Sequence, residues 1–106
     1  MSLDQTIVAL SDATRRELIR RLARQPLRAG DLARGFSISR PAICKHARLL
    51  TRAGLIRAKK SGRERIYELD PNGAKALKET LEQLEAMSRL WDVALGAFKR
   101  YAEAKK

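Results

Sequence analysis

The stretch Ser37–Leu50, SISRPAICKHARLL, holds the residues of this chain that are most able to do chemistry. Cys44 is the only cysteine and His46 the only histidine among the 106 residues. A thiol and an imidazole this close in sequence suggest a metal site or a nucleophile with its base. The basic residues around them suggest contacts with nucleic acid instead.

Helical geometry argues against a metal site and against catalysis. Two residues spaced as Cys44 and His46 are lie about 200° apart around a helix axis, so one metal ion cannot bind both. The chain has no other cysteine or histidine to complete a zinc shell. No acid, base and glycine-rich loop converge in the sequence. We therefore expect no metal, no cofactor and no enzymatic activity.

Length and composition predict one small folded domain with an added terminal element. Apolar residues make up 44% of the chain and charged residues 33%, which argues against disorder. No apolar run is long enough to cross a bilayer, and the N-terminal charges have the wrong order for a signal peptide. A single cysteine cannot form an internal disulfide, so we expect a cytoplasmic location.

The positive charge is confined to one part of the chain. Residues 1–65 contain 16 Lys and Arg against 5 Asp and Glu, a net +11, whereas residues 66–106 contain seven of each. A phosphate backbone is the commonest partner for such a field. The alternative is a basic surface kept for solubility. A membrane surface is disfavoured, because no helix combines a broad apolar face with a purely basic one.

Apolar spacing and capping residues predict four helices ahead of a hairpin. The helices span residues 3–10, 13–24, about 29–35 and about 40–53. Ser11 or Asp12 caps the second helix, and Ser39 caps the fourth. Phe36 and Ile38 are expected to pack beneath the turn between the third and fourth helices.

The fourth predicted helix has one buried face and one basic face. Ile43, Ala47 and Leu50 recur at i, i+4 and i+7 and form the buried face. Away from it lie Arg40, Cys44, Lys45 and Arg48. Two short helices joined by a turn, the second presenting a basic face, are typical of a helix-turn-helix.

Two strand-like runs, LIRAKK and RERIYEL, flank Ser61-Gly62 and predict a hairpin. Its apolar side is predicted to consist of Leu55, Ile66 and Leu69. The basic residues near its tip are Arg57, Lys59, Lys60, Arg63 and Arg65. Such a hairpin suits a wing that contacts the DNA backbone or minor groove. The predicted fold is therefore mostly α with a β-hairpin wing, a winged helix-turn-helix over residues 1–70.

A long last helix, in residues 71–106, follows the cap Asp70 and runs to about residue 102. Its apolar residues recur at spacings of three and four, close to a heptad seam. They are Leu77, Leu81, Leu84, Trp91, Leu95 and Phe98. This helix is predicted to mediate dimerisation; the alternative is that it folds back over its own core. Trp91 either fills the interface or stacks on a ligand.

In succession, the segments ALSDATRRELIRRL, ISRPAICKHARLLTRAGLI and KKSGRERIYEL resemble the ArsR/SmtB family of winged helix-turn-helix repressors. The resemblance covers residues 5–70. The tail that contains Trp91 is similar to a subgroup that lacks the metal-sensing sites. The resemblance implies a homodimer, paired through its first and last helices, that binds a palindromic operator and represses transcription.

Carried over onto this sequence, the family's recognition helix matches residues 39–53. The positions that face the major groove hold Ser39, Arg40, Cys44 and Lys45, and Arg48 lies near the phosphates. The family usually has serine at the position of Cys44, so Cys44 is either a small replacement or a thiol switch. It also has a larger aliphatic residue at the position of Ala47.

Both of the family's metal sites are missing from this sequence. The segment LRAGDL holds Arg28 and Gly30 at the positions of the metal sensors' cysteines. No histidine follows His46, although the second known site needs histidines on the last helix. His46 is expected either to pack between helices or to touch a phosphate. No small-molecule inducer can be identified from the sequence.

These observations predict a homodimeric, sequence-specific repressor of transcription that binds double-stranded operator DNA. The residues expected to read bases are Ser39, Arg40, Pro41, Cys44 and Lys45. Those expected to contact the backbone are Arg48, Lys59, Lys60, Arg63 and Arg65. The dimer interface is expected to contain Leu3, Ile7, Leu81, Leu84, Trp91, Leu95 and Phe98. The alternative is a winged-helix module for protein contacts or non-specific nucleic-acid or RNA binding.

Overall fold

A computed structural model describes residues 3–105 and shows a mostly helical chain with a three-stranded antiparallel sheet. The elements are α1 (Leu3–Leu10), α2 (Ala13–Arg24), β1 (Leu27–Arg28), α3 (Ala29–Ala33), α4 (Arg40–Arg52), β2 (Ile56–Ser61), β3 (Glu64–Leu69) and α5 (Pro71–Ala104). This order is the predicted winged helix-turn-helix followed by a long C-terminal helix. None of the described helices is both long and apolar enough to span a membrane.

Side-chain caps fix where three of the helices begin. The Asp12 carboxylate accepts a hydrogen bond of 3.1 Å from the Arg15 backbone N–H, so Asp12 and not Ser11 caps α2. That same hydrogen bond lowers the pKa of Asp12 below its ordinary range. The Ser39 hydroxyl accepts from the Ala42 N–H at 3.3 Å, and the Asp70 carboxylate accepts from the Asn72 N–H at 2.9 Å. The predicted caps of α4 and α5 are confirmed.

The core lies between the three short helices α2, α3 and α4 and the inner face of the sheet. Its largest fully buried apolar side chains are Leu18, Leu32, Ile43, Leu50, Leu55 and Ile56. Ala47 is buried as well and 1% exposed. The buried stripe predicted for the fourth helix is therefore confirmed, including its small residue at position 47.

The predicted apolar side of the hairpin is partly wrong. Leu55 is buried, but Ile66 is half-buried and Leu69 exposed, while Ile56 and Tyr67 occupy the inner positions. Leu55 precedes β2, which begins at Ile56. The alternation of inward and outward side chains therefore starts one residue later than the prediction assumed. In the observed register Tyr67 lies opposite Ala58, on the same face as Ile56. A shift of one residue moves the inward face of a strand to the other set of residues.

The segment between α2 and α4 differs from its prediction in three places. β1, which was not predicted, pairs with β3 so that Leu27 lies opposite Tyr67. α3 ends at Ala33 rather than near 35. Ile38 is 38% exposed, because Phe36 alone fills the space beneath the turn, where the Arg21 guanidinium lies 4.2 Å above its ring.

The long helix α5 is anchored at its start and projects away from the core beyond residue 80. The Asp70 N–H donates to the Leu55 carbonyl at 3.0 Å, and Gly73 is buried against the chain at Gly54. Thr80 is the last buried residue of the helix, which continues unbroken to Ala104. The alternative in which this helix folds back over its own core is therefore wrong.

Candidate nucleic-acid interface

Helix α4, the predicted recognition helix, presents a polar, mostly exposed surface opposite its buried stripe. Arg40, Pro41, Lys45 and Arg48 are exposed along this surface, Ser39 is exposed at its cap, and Cys44 is half-buried. Pro41 has no N–H, and the Ser39 hydroxyl accepts a hydrogen bond from the Ala42 N–H. Neither position in the first turn of α4 therefore needs a hydrogen-bond acceptor from outside the helix and its cap. The structure brings together the five residues that were predicted to read bases.

Arg40 is the first residue of α4, and its side chain leans toward α3. A Cβ atom built on Gly30 would lie 3.8 Å from Arg40 Nη2, so the guanidinium covers the exposed backbone of Gly30. A groove of about 450 Å³ lies beside this contact, bounded by the beginning of α3, by Arg40 and by the tip of the hairpin. The side chain of Arg40 therefore forms part of both the α4 surface and this groove.

The charges of the wing, which we define as residues 56–69, are divided between its two faces. On the outer face, the Glu68 carboxylate pairs with Arg57 at 2.6 Å and with Lys59 at 2.9 Å. Hydrogen bonds from Lys59 and then Arg57 lower the pKa of Glu68, which keeps this carboxylate ionised. Two cations share this one carboxylate, so the group of Arg57, Lys59 and Glu68 keeps a net charge of +1. The sequence positions did not indicate this pairing.

The remaining wing cations have no carboxylate partner among residues 3–105. These are Lys60, Arg63 and Arg65. Lys60 and Arg65 lie directly opposite each other in the hairpin register, on the face that carries Tyr67. Their charges are available to an anion that approaches from the side of the helices.

Sequence reasoning missed Arg28, which the structure places next to the wing. Arg28 ends β1, and its Nε atom lies 2.8 Å from the Glu64 carboxylate at the start of β3. The two-residue strand β1 brings it there by pairing with β3. The only signal in the sequence was its charge, because strand pairing at this distance cannot be read from local spacing.

The side chain of His46 packs between α4 and the start of α2. Its Nδ1 atom lies 3.0 Å from Arg15 Nη1 and 4.0 Å from the Asp12 carboxylate, and its side chain is 23% exposed. An arginine can only donate, so Nδ1 acts as the acceptor in this contact. Packing was one of the two predicted roles for His46. Within residues 3–105, no three Cys, His, Asp or Glu side chains are grouped as metal ligands are.

A second candidate surface is apolar and lies on α5. The predicted interface residues there are exposed, by 39% for Leu84 and 69% for Phe98. The others are Leu81, Trp91 and Leu95. Four further exposed apolar residues of α5 were not predicted from the sequence: Met87, Leu90, Val93 and Tyr101. On α1, Ile7 is exposed, whereas the side chain of Leu3 lies outside the part of the chain that the structure describes.

Comparisons with known proteins identify the family. The family described as a helix-turn-helix domain matches residues 10–58. The HTH-type transcriptional regulator Rv2034 of Mycobacterium tuberculosis is 38% identical over 104 residues, which cover 98% of this chain and 92% of that protein. The transcriptional repressor SdpR of Bacillus subtilis is 34% identical over 68 residues, 64% of this chain and 76% of the repressor.

Solved structures give the same result. An ArsR-like transcriptional regulator from Rhodococcus sp. RHA1 superposes with a TM-score of 0.67 and is 37% identical, covering 94% of this chain and 92% of its own. Similarity over nearly the whole chain, in sequence and in fold, shows that this protein belongs to the ArsR family of winged helix-turn-helix, DNA-binding transcriptional regulators.

Proposed function

We propose that this protein is a homodimeric repressor that binds a palindromic operator through α4 and the wing. The observation that carries the proposal is the presence of an exposed polar face on α4 together with unpaired cations on the helix-facing side of the wing. The similarity to a transcriptional repressor supports repression as the outcome of binding. Both relatives are bacterial proteins, and bacterial DNA lies in the cytoplasm, so we propose a cytoplasmic location.

The α4 surface supplies the sequence specificity in this proposal. Lys45 and Arg40 are the candidates for guanine, because a cation can donate to both major-groove acceptors of that base. The remaining base-reading positions are Ser39, Pro41 and Cys44. Arg48 and the wing residues Lys59, Lys60, Arg63 and Arg65 add affinity through phosphates. Of these wing residues, Lys60, Arg63 and Arg65 are the ones without an internal carboxylate partner.

Dimerisation is assigned to α1 and α5. Large apolar side chains of α5 beyond residue 80 are exposed in the described chain, and a two-fold copy offers them an identical apolar helix. A two-fold dimer predicts inverted half-sites in successive major grooves, about 10 bp apart or a small multiple of that distance. Specific affinity should be on the order of nanomolar, against micromolar or weaker for random DNA.

Binding of the purified protein to the DNA upstream of its own gene tests this function. Fluorescence anisotropy would compare that duplex with a scrambled duplex across a salt series, and titration would give the number of protomers bound. A large preference that persists at physiological salt, with two protomers per site, supports the repressor. Equal affinities that vanish together as salt rises would contradict it and favour the module for protein contacts or non-specific nucleic-acid binding.

A further inference from the structure

Arg21 of α2 contacts the turn between α3 and α4 at three points. Its Nη1 atom donates to the Leu32 carbonyl at 3.0 Å and to the Arg34 carbonyl at 2.6 Å. The same guanidinium lies 4.2 Å above the centre of the Phe36 ring. We call this set of contacts the Arg21 clamp. It joins α2 to the end of α3 and to the connection that leads into α4.

The carbonyls that Arg21 binds complement the hydrogen bonds that the turn makes within its own backbone. There the Arg34 N–H donates to the Asp31 carbonyl at 3.3 Å, and the Phe36 N–H donates to the Ala33 carbonyl at 3.5 Å. The last carbonyls of a helix have no partner within it and need donors from elsewhere. Nη1 carries two N–H groups, one for each of the carbonyls that it binds. The guanidinium therefore completes the hydrogen bonding of consecutive carbonyls at the end of α3.

Burial separates Arg21 from the neighbouring Arg20. The side chain of Arg21 is 27% exposed, against 67% for Arg20. Both contact the Glu17 carboxylate, Arg20 at 2.7 Å and Arg21 at 3.4 Å, so this ion pair belongs mainly to Arg20. The shorter contacts of Arg21 are those with the turn. The turn, rather than a surface ion pair of little energetic value, therefore accounts for the position of Arg21.

The first turn of α4 depends on this connection, because it precedes the first core residue of the helix. Ile43 is the first buried residue of α4, whereas residues 39–41 lie before it and are exposed. Of the side chains at positions 35–39, Phe36 packs against the core and the others are exposed. A contact that holds Phe36 and the end of α3 therefore also holds the residues that begin α4.

We propose that Arg21 is a positioning residue for base reading: the Arg21 clamp fixes the turn, and thereby the place of residues 39–41 relative to the major groove. This inference rests on the proposed function, in which residues 39–41 read bases. A shift of the first helical turn would misalign these side chains with base edges. Phosphate contacts would suffer less, because they carry no sequence information. Operator specificity thus depends in part on a side chain of α2.

Arg21→Lys tests the Arg21 clamp at constant charge. The lysine ammonium ends a shorter chain than Nη1 and has no flat surface to lie on the Phe36 ring. We expect the preference for the operator over a scrambled duplex to fall about tenfold, comparable to one mismatched base pair. Affinity for scrambled DNA and the slope of log K against log salt should stay the same, because no charge is lost. Fluorescence anisotropy across a salt series measures all three quantities.

Arg20→Lys is the matched control. It makes the same change at the adjacent, mostly exposed residue and should alter the preference by less than about twofold, as surface substitutions do. A role of Arg21 in stability alone predicts that Arg21→Lys lowers the melting temperature but keeps the preference at temperatures well below it. That result, or an equal loss of affinity for both duplexes, would overturn the positioning role.

A double-variant cycle tests whether Arg21 acts through the turn. Phe36→Leu keeps an apolar side chain on the core but removes the ring beneath the guanidinium, and it should lower the preference as well. If Arg21 and Phe36 act together, the double variant should lose less than the product of the two single losses. Losses that multiply would mean that the two residues act independently, which contradicts the Arg21 clamp.

Hydrogen exchange of backbone amides, measured without DNA, separates failure of this inference from failure of the proposed function. Arg21→Lys should speed exchange at Phe36 and at Ala42. The Ala42 N–H is held by the Ser39 cap, and Leu50, in the buried part of α4, serves as the internal reference. Unchanged exchange at both amides would overturn the Arg21 clamp. A wild type that does not distinguish the duplexes would instead overturn the proposed function, and the exchange rates would still decide whether Arg21 holds the turn.

Discussion

At the scale of single residues, the side chain of Arg15 joins three helices of the domain. Its guanidinium donates to the carbonyls of Ala9 and Val8 at the end of α1, at 2.7 and 2.9 Å, and contacts His46 on α4. The last carbonyls of α1 have no partner within their own helix. The guanidinium of Arg15 satisfies them together with Ser11, which donates to Val8, and Arg16, which donates to Leu10. One residue of α2 thereby connects α1 with α4, the helices to which we assign dimerisation and base reading.

Replacing Arg15 should destabilise the protein well beyond an ordinary surface change. Arg15→Met keeps most of the aliphatic stem but removes three hydrogen bonds from a charged donor, which are worth about 1.5–3 kcal/mol each when intact and less after relaxation. We expect the free energy of unfolding to fall by at least about 1.5 kcal/mol. Urea denaturation followed by circular dichroism measures it.

Arg20→Met is the matched control for this prediction. Arg20 lies on the same helix, is exposed, and only pairs with Glu17 across the helix surface. Such pairs contribute about 0–1 kcal/mol. If both variants lose the same small amount of stability, Arg15 does not connect the helices in the way described.

Lys45 tests base reading separately from phosphate binding. Lys45→Ala should cost about 1–3 kcal/mol on the operator and relax specificity at one base position. Affinity for scrambled DNA should fall much less, because only a base contact depends on sequence. Anisotropy with a panel of operators, each changed at a single position, measures this, with Lys78→Ala on α5 as a charge-matched control. An equal loss on all duplexes would make Lys45 a phosphate contact.

At the scale of elements, the sequence predicted what depends on neighbouring residues and missed what depends on distant ones. The caps Ser39 and Asp70 and the buried stripe of α4 follow from local spacing, and the structure contains them. The contacts of Arg28 with Glu64 and of Arg15 with His46 join separate elements. No periodicity encodes such pairs. The register of the hairpin was missed because Leu55 belongs to the preceding loop.

The contact that fixes the direction of α5 also depends on a residue that no pattern singled out. A Cβ atom on Gly73 would lie 2.9 Å from the Gly54 carbonyl oxygen and 3.0 Å from the Leu55 Cα atom. Both neighbours are backbone atoms, which cannot rotate away as a side chain can. Glycine at this position lets the first turn of α5 rest directly on the connection between α4 and the wing.

Gly73→Ala should therefore destabilise the protein even though alanine favours helices. Helix propensity alone would add about 1 kcal/mol of stability. The backbone overlap requires a shift of α5 or of the loop, which typically costs 1–3 kcal/mol. We expect a net decrease in the melting temperature, measured by calorimetry. Gly96→Ala, where a Cβ atom would meet only the tip of the Arg100 side chain at 3.4 Å, should increase it.

At the scale of the whole molecule, the described chain is more extended than a compact domain of the same length. Its radius of gyration is 18.7 Å and its longest dimension 69 Å. A compact chain of this length has a radius of gyration of about 13 Å. The difference comes from the part of α5 beyond Thr80, where large apolar side chains are exposed over several turns. The sequence predicted this helix and its seam but not the width of its apolar surface, because Met87, Leu90 and Tyr101 lie beside the heptad positions.

Removing this projection should separate association from folding. A chain that ends at residue 87 keeps every buried residue of the described core, because the last of them is Thr80. It should therefore unfold cooperatively and show the circular dichroism of the remaining helices. It should also sediment as a monomer at concentrations where the full chain is a dimer, because the apolar area of Trp91, Leu95 and Phe98 is gone. A chain that ends at residue 102 keeps these side chains and serves as the matched control.

The shortened chain also distinguishes the two possible sources of the dimer interface. If it remains a tight dimer, the interface lies in α1 and the first turns of α5, and the exposed apolar surface beyond residue 87 binds something else. If it becomes a monomer, operator affinity should fall far more than affinity for a single half-site. Two linked half-sites gain their affinity from simultaneous binding, and a monomer occupies each one independently.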